Sequence, residues 1–141
     1  MTDAAHPPAQ GGEEITFLPA PGKGVCGVGI DVVDIAALEG RLARVPALRE
    51  RLFNGPELAL PSRSLAAAAA AKEALGKALG NPEELSWRDV TVQHTRTGRP
   101  YFTVRGKVAE TARALGVARL HLSLSHDAGI AQAIVVAERG E

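Results

Sequence analysis

The sequence predicts an α+β fold in which an antiparallel sheet accompanies one long helix. Three observations carry that reading. Six consecutive alanines, at positions 66–71, sit inside residues 65–80 and form the strongest local helix signal in the chain. Two alternating apolar segments, 119–125 and 130–137, are joined by His126-Asp127-Ala128-Gly129, which has the spacing of a tight hairpin. The full element order is β-α-α-β-β-α-β-β, which argues for α+β with an antiparallel sheet.

Composition bounds the rest. A chain of 141 residues is one domain of ordinary size. An apolar fraction of 45% and a charged fraction of 23% are those of a soluble globular protein. Sixteen basic and sixteen acidic side chains cancel, so no global field draws nucleic acid or an anionic membrane. The lone cysteine, Cys26, excludes an internal disulfide and a cysteine metal cluster. No apolar run reaches 18 residues, and the N-terminus lacks the basic and apolar regions of a secretory signal, so a cytoplasmic protein is expected.

Residues 1–23 carry four of the nine prolines and no apolar period, and read as a disordered or loosely docked arm, with a short strand at 14–18. Residues 24–141 then form the domain. Its first strand is 25–33, where Cys26, Val28, Ile30 and Val32 alternate onto a face suited to a core. Gly27, Gly29 and Asp31 fall on the opposite face, where glycines often mark a close approach of backbone or ligand. Asp31 is then either an N-cap for the following helix or a ligand.

A helix follows over 34–51, with Ile35, Leu38, Leu42 and Val45 at helical spacing and Pro46 as its break. Arg41, Arg44, Arg49 and Arg51 make its far half basic, which is either a solvated face or a docking surface for an acidic partner. Asn54-Gly55-Pro56 marks a turn, with one helical turn at 56–60. The central helix has Ser64 as its N-cap and Gly80 with Pro82 as its stop. On a helical wheel Leu65, Ala68, Leu75 and Leu79 share one stripe with the stem of Lys72. The other stripe holds Ala66, Ala69, Ala70, Glu73, Lys77 and Gly80, so Glu73 and Lys77 stand among very small residues. They are either an exposed i,i+4 ion pair or part of a site. Strands at 89–95 and 101–104 flank Thr97-Gly98-Arg99-Pro100, and a short helix covers 106–115.

Asp31, Glu73 with Lys77, the Arg99 hairpin, and Ser123-Leu124-Ser125-His126 stand apart from core-building. Two carboxylates beside small residues suit an oxygen-preferring divalent cation, and magnesium takes only one or two of them. Lysine, arginine and histidine would then balance phosphate charge. No Walker A, H-E-x-x-H or G-x-S-x-G sequence is present.

Taken together and in order, GVGIDVVDI, AAKEALGKALG, GRPYFTV and HLSLSHDAGIAQAIVVAE resemble the holo-acyl-carrier-protein synthases, the small single-domain 4′-phosphopantetheinyl transferases. The resemblance covers about residues 25–138. It implies an antiparallel sheet wrapped around a long central helix, assembled as a homotrimer with coenzyme A held between subunits. It implies magnesium-dependent transfer of the phosphopantetheine arm to a serine of an apo acyl carrier protein, releasing adenosine 3′,5′-bisphosphate. On this footing Asp31 and Glu73 match the metal ligands, and Lys77 the lysine at the transferred phosphate. Arg99, with Pro100, matches the basic residue at the coenzyme's 3′-phosphate, and His126 the histidine at its nucleotide end. Gly80 sits where backbone passes the ligand. Glu73 or a metal-bound water would be the base.

The family has an arginine and an aromatic residue where this chain has Ala68 and Ala69. Losing both removes a bidentate phosphate donor and leaves space. A second reading therefore stays open: a relative of the same fold whose widened, alanine-lined cleft binds or converts another ligand, such as a polyketide intermediate.

Overall fold

A computed structural model describes residues 5–6, 15–16, 23–82 and 85–140. Ten-residue strand β3 (Val25–Asp34) runs straight into helix α1 (Ile35–Arg44), followed by the short α2 (Leu48–Leu52). A 3-10 helix (Gly55–Ala59) leads to the long α3 (Ser62–Ala78). Then come a 3-10 turn (Trp87–Asp89), β4 (Val90–His94), β5 (Pro100–Val104), α4 (Gly106–Ala114), β6 (Val117–Asp127) and β7 (Ile130–Arg139). Near the N-terminus β1 (Ala5–His6) pairs with β2 (Ile15–Thr16). The rest of the expected N-terminal arm lies outside the described residues.

The main sheet has strand order β3–β7–β6, all antiparallel, and β4–β5 form a separate hairpin. Ala128 (φ 51°) and Gly129 (φ 77°) both occupy the left-handed region, as a two-residue hairpin joining β6 to β7 requires. The helix expected over 34–51 is broken at Pro46, as expected, into α1 and α2. The central helix starts two residues before the expected Ser64 cap, with Pro61 at its N-cap position.

The core lies between α3 and the sheet, and it reverses the expected orientation of β3. Val28, Ile30 and Val32 are 53–58% exposed, while Gly29 is buried. The glycine face turns to the helix because nothing else fits there. A Cβ on Gly29 would stand 1.9 Å from the Ala74 carbonyl oxygen, and one on Gly27 1.8 Å from that of Ala78. On the helix side, the residues that face these glycines are Ala74 and Ala78, both buried. Strand and helix therefore meet backbone to backbone, and alternation alone cannot tell which face of such a strand is inward.

Gly29→Ala is accordingly expected to destabilise the fold by at least about 2 kcal/mol, the cost of overpacking a rigid contact. Thermal denaturation, compared with an Ala36→Ser control on the exposed side of α1, checks it.

Candidate active site

The close contact decides which polar groups meet. Past Gly27 and Gly29, the next residue on the helix-facing side of β3 is Asp31. Lys77 of α3 reaches across to it: its Nζ donates to Asp31 Oδ1 at 3.1 Å and to the Ile30 carbonyl at 2.9 Å. The lysine is thus turned to the strand, and the simple i,i+4 reading of Glu73 with Lys77 does not describe it. The capping alternative for Asp31 is settled too. Asp34 caps α1, its Oδ1 accepting from the Ala37 amide at 3.0 Å.

Glu73 stands one turn before Lys77. Burial holds its carboxyl above the usual carboxylate range, the negative charge of Asp31 pushes the same way, and Lys77 partly offsets both. Asp31 and Glu73 line one open cleft of about 660 Å³. Leu38 and Arg41 of α1, Leu48, Arg51 and Leu52 of α2, and Trp87 form its other walls. Ala68 and Ala69 are both buried in the core, and of the two only Ala69 lines the cleft. Ala37 and Ala69 line the cleft beside these larger leucines, arginines and the indole. A smaller pocket of about 170 Å³ lies on the other side of Glu73, lined by Gly76, Asn81 and again Trp87. Beside it Gly80 (φ 89°) and Asn81 (φ 53°) turn the chain away from α3.

The donor set suits magnesium. Two carboxylates on a strand and a helix offer hard oxygens but too few to enclose an ion, which is how magnesium is commonly held. Among the described residues no cluster of three or more His, Cys, Asp or Glu side chains forms. Burial first, and the Asp31 charge second, raise the proton affinity of Glu73, and a cation beside the two carboxylates would offset both.

The remaining expected site residues lie elsewhere on the chain. Arg99 is exposed on the β4–β5 connection, its amide held by Thr95 Oγ1 at 3.0 Å, and Pro100 opens β5. His126 is exposed near the end of β6, opposite Ala131 of β7. None of the three lines the cleft with Asp31 and Glu73.

A buried ion pair beside the cleft was not anticipated. Lys72 Nζ donates to Glu57 Oε1 at 2.8 Å, to the Leu52 carbonyl at 2.8 Å and to the Trp87 carbonyl at 3.2 Å. Neither side chain of the pair is exposed. Burial pushes the Lys72 ammonium down, against the hydrogen bond and charge of Glu57. Glu57 also accepts from the amides of Asn54 at 2.9 Å and Val92 at 2.7 Å. The available signal was Asn54-x-x-Glu57, a capping-box pattern hidden behind the Gly55-Pro56 turn.

A family profile described as the 4′-phosphopantetheinyl transferase superfamily matches residues 27–133. A holo-[acyl-carrier-protein] synthase of Clavibacter michiganensis is 54% identical over 112 residues, spanning 79% of this chain and 94% of its own length. One from Beutenbergia cavernae is 54% identical over 115 residues, spanning 82% and 99%. Among solved structures, Helicobacter pylori holo-[acyl-carrier-protein] synthase in complex with coenzyme A is similar at a TM-score of 0.71 and 34% identity, covering 79% of this chain and 99% of that one.

The raised carboxyl of Glu73 has a signed consequence for stability. A carboxyl whose proton affinity is higher folded than unfolded adds nothing unfavourable at acid pH. Its cost grows as pH rises through the folded value. Without divalent cation, Glu73→Gln should therefore melt at a higher temperature than the parent at pH 8, with the difference gone by pH 4. Calorimetric scans across that range read it directly.

Proposed function

The chain belongs to the holo-acyl-carrier-protein synthase family within the 4′-phosphopantetheinyl transferase superfamily, and on that premise we propose that Asp31, Glu73 and Lys77 are the centre of its transfer reaction. The protein is a transferase of phosphopantetheine. Coenzyme A is the donor in this reading, and a serine of an apo acyl carrier protein the acceptor. The serine Oγ bonds to the phosphorus that carries pantetheine. The bond from that phosphorus to the bridging oxygen breaks, and adenosine 3′,5′-bisphosphate leaves with the electron pair. The serine proton passes to a base, for which Glu73 is the candidate.

Such chemistry asks the protein for positioning and charge neutralisation more than for covalent participation. The observation that supports the reading most is the meeting of Asp31 and Glu73 at one cleft from two distant segments, with Lys77, outside its lining, bonded to Asp31. Lys77, already drawn to Asp31, brings a positive charge to the place where the transferred phosphate would lie. Asp31 and Glu73 would hold a magnesium ion, which would supply Lewis-acid polarisation of the diphosphate. Arg41 and Arg51 on the cleft walls present cations to an acidic carrier. Arg49 is not free for this, because its guanidinium holds the carbonyls of Leu58 and Leu60.

The exposed, largely apolar face of the sheet supports self-association, and the family resemblance makes that assembly a homotrimer. Val28, Ile30 and Val32 of β3 pair with Val136, Ile134 and Gln132 of β7, and Ile134 is 41% exposed. A continuous patch of this kind marks an interface. Packing of copies through it also gives Arg99, Pro100 and His126 a role: they, with Gly80, would reach the donor from a neighbouring subunit or the cleft edge. We read residues 24–141 as the catalytic domain. Among the described residues no helix is long and apolar enough to cross a membrane.

Incubating the protein with magnesium, coenzyme A and an apo carrier should raise the carrier's mass by one phosphopantetheine. Asp31→Ala, Glu73→Ala and Lys77→Ala should each slow this about a hundredfold or more, as loss of a charge-stabilising group does. An unchanged carrier mass across several carriers, with no heat of coenzyme A binding, refutes the assignment. Separately, Ile134→Glu should convert the assembly to a folded monomer on a sizing column, with transfer lost.

A further inference from the structure

The buried pair Lys72–Glu57 lies behind the cleft that Asp31 and Glu73 line, and Lys72 borders the smaller pocket beside Glu73. Two charges withdrawn from water gain little net stability over an apolar pair of equal volume, so what they offer is geometry. Here the geometry is specific. One ammonium ties together three segments that are separate along the chain: the Leu52 carbonyl at the end of α2, Glu57 in the 3-10 helix, and the Trp87 carbonyl. The Phe53 ring completes its surroundings, with Nζ 5.3 Å from the centroid. Leu52 and Trp87 are walls of the cleft that Glu73 enters, and Trp87 also walls the smaller pocket on the other side of Glu73.

The segment that carries the indole is pinned from further directions. Asn54 Nδ2 donates to the Arg88 carbonyl at 3.1 Å, and Arg105 Nη2 to the same oxygen at 2.9 Å. Thr91 in turn donates to Asn54 Oδ1. Lys72 is the member of this set that stands on α3 itself, one residue before Glu73. It is therefore the group that references the Trp87 partition to the helix bearing the carboxylate.

We propose that Lys72, paired with Glu57, is a positioning residue that holds Trp87 and Leu52 at fixed distance from Glu73 and thereby sets the affinity of the cleft for the coenzyme A arm. The proposal rests on the transferase reading above and adds to it a residue that contacts neither substrate nor metal. It predicts a split: binding of the donor weakens, while the rate of a saturated enzyme changes little.

Trp87 is the chain's single tryptophan, so its fluorescence reports the cleft directly. The experiment compares the parent, Lys72→Met, and the double variant Lys72→Met with Glu57→Gln, which leaves no buried charge alone and keeps the test available if the single variant does not fold. Each is titrated with coenzyme A in magnesium, following Trp87 emission, and assayed for carrier modification. Expected are a red-shifted emission in the free variant, a Kd and KM for coenzyme A raised about tenfold, and a kcat within about threefold of the parent. Variants that melt earlier but keep the parent's emission, Kd and KM would overturn the proposal while leaving the transferase reading intact. A parent that neither binds coenzyme A nor modifies a carrier would overturn both.

Discussion

The contact on which the rest depends is the meeting of two backbones. β3 and α3 approach so closely that only glycine on one side and alanine on the other can line the seam. The approach brings a strand carboxylate and a helix carboxylate, 42 positions apart in sequence, into one cleft and one electrostatic environment. Larger residues at the seam would separate α3 from β3 and with it Glu73 from Asp31. Fold and chemistry are thus set by the same few missing side chains.

Around that seam, polar groups are used economically. Among the described residues no buried side-chain nitrogen or oxygen lacks a hydrogen-bond partner. The Glu57 carboxylate alone receives two backbone amides and the Lys72 ammonium, so the short 3-10 connection between α2 and α3 is fixed from its buried side. The cleft is walled partly by this connection. It can therefore stay open because its rim is tied down from behind rather than filled from within.

Much of this was legible in the sequence, and the failures have a common cause. The alanine run and the two hairpins could be read because each follows from local chemistry, helix propensity or turn geometry; Asp31, Glu73 and Lys77 stood out only as charges among small residues, and their proposed roles come from the family resemblance. The facing of β3 was misread because both of its faces alternate cleanly, and the bulkier one was assigned to the core. What decides between them is the partner helix, whose alanines match glycines better than valines. Glu57 and Trp87 escaped for the same reason. Their importance comes from Lys72, distant in sequence, and nothing in their own neighbourhoods announces it. The separation of Arg99 and His126 from Asp31 likewise reflects tertiary arrangement that motif order does not encode.

The seam also governs how this protein can diverge. A leucine core drifts through compensating swaps of volume, one residue shrinking as its neighbour grows. Where Ala74 and Ala78 meet Gly29 and Gly27 there is no smaller partner to shrink, because the opposing positions already lack a β-carbon. Substitution is then costlier at this seam than at the rim or on the outer sheet face. Differences in substrate taste between relatives would be written there, around an almost immutable axis.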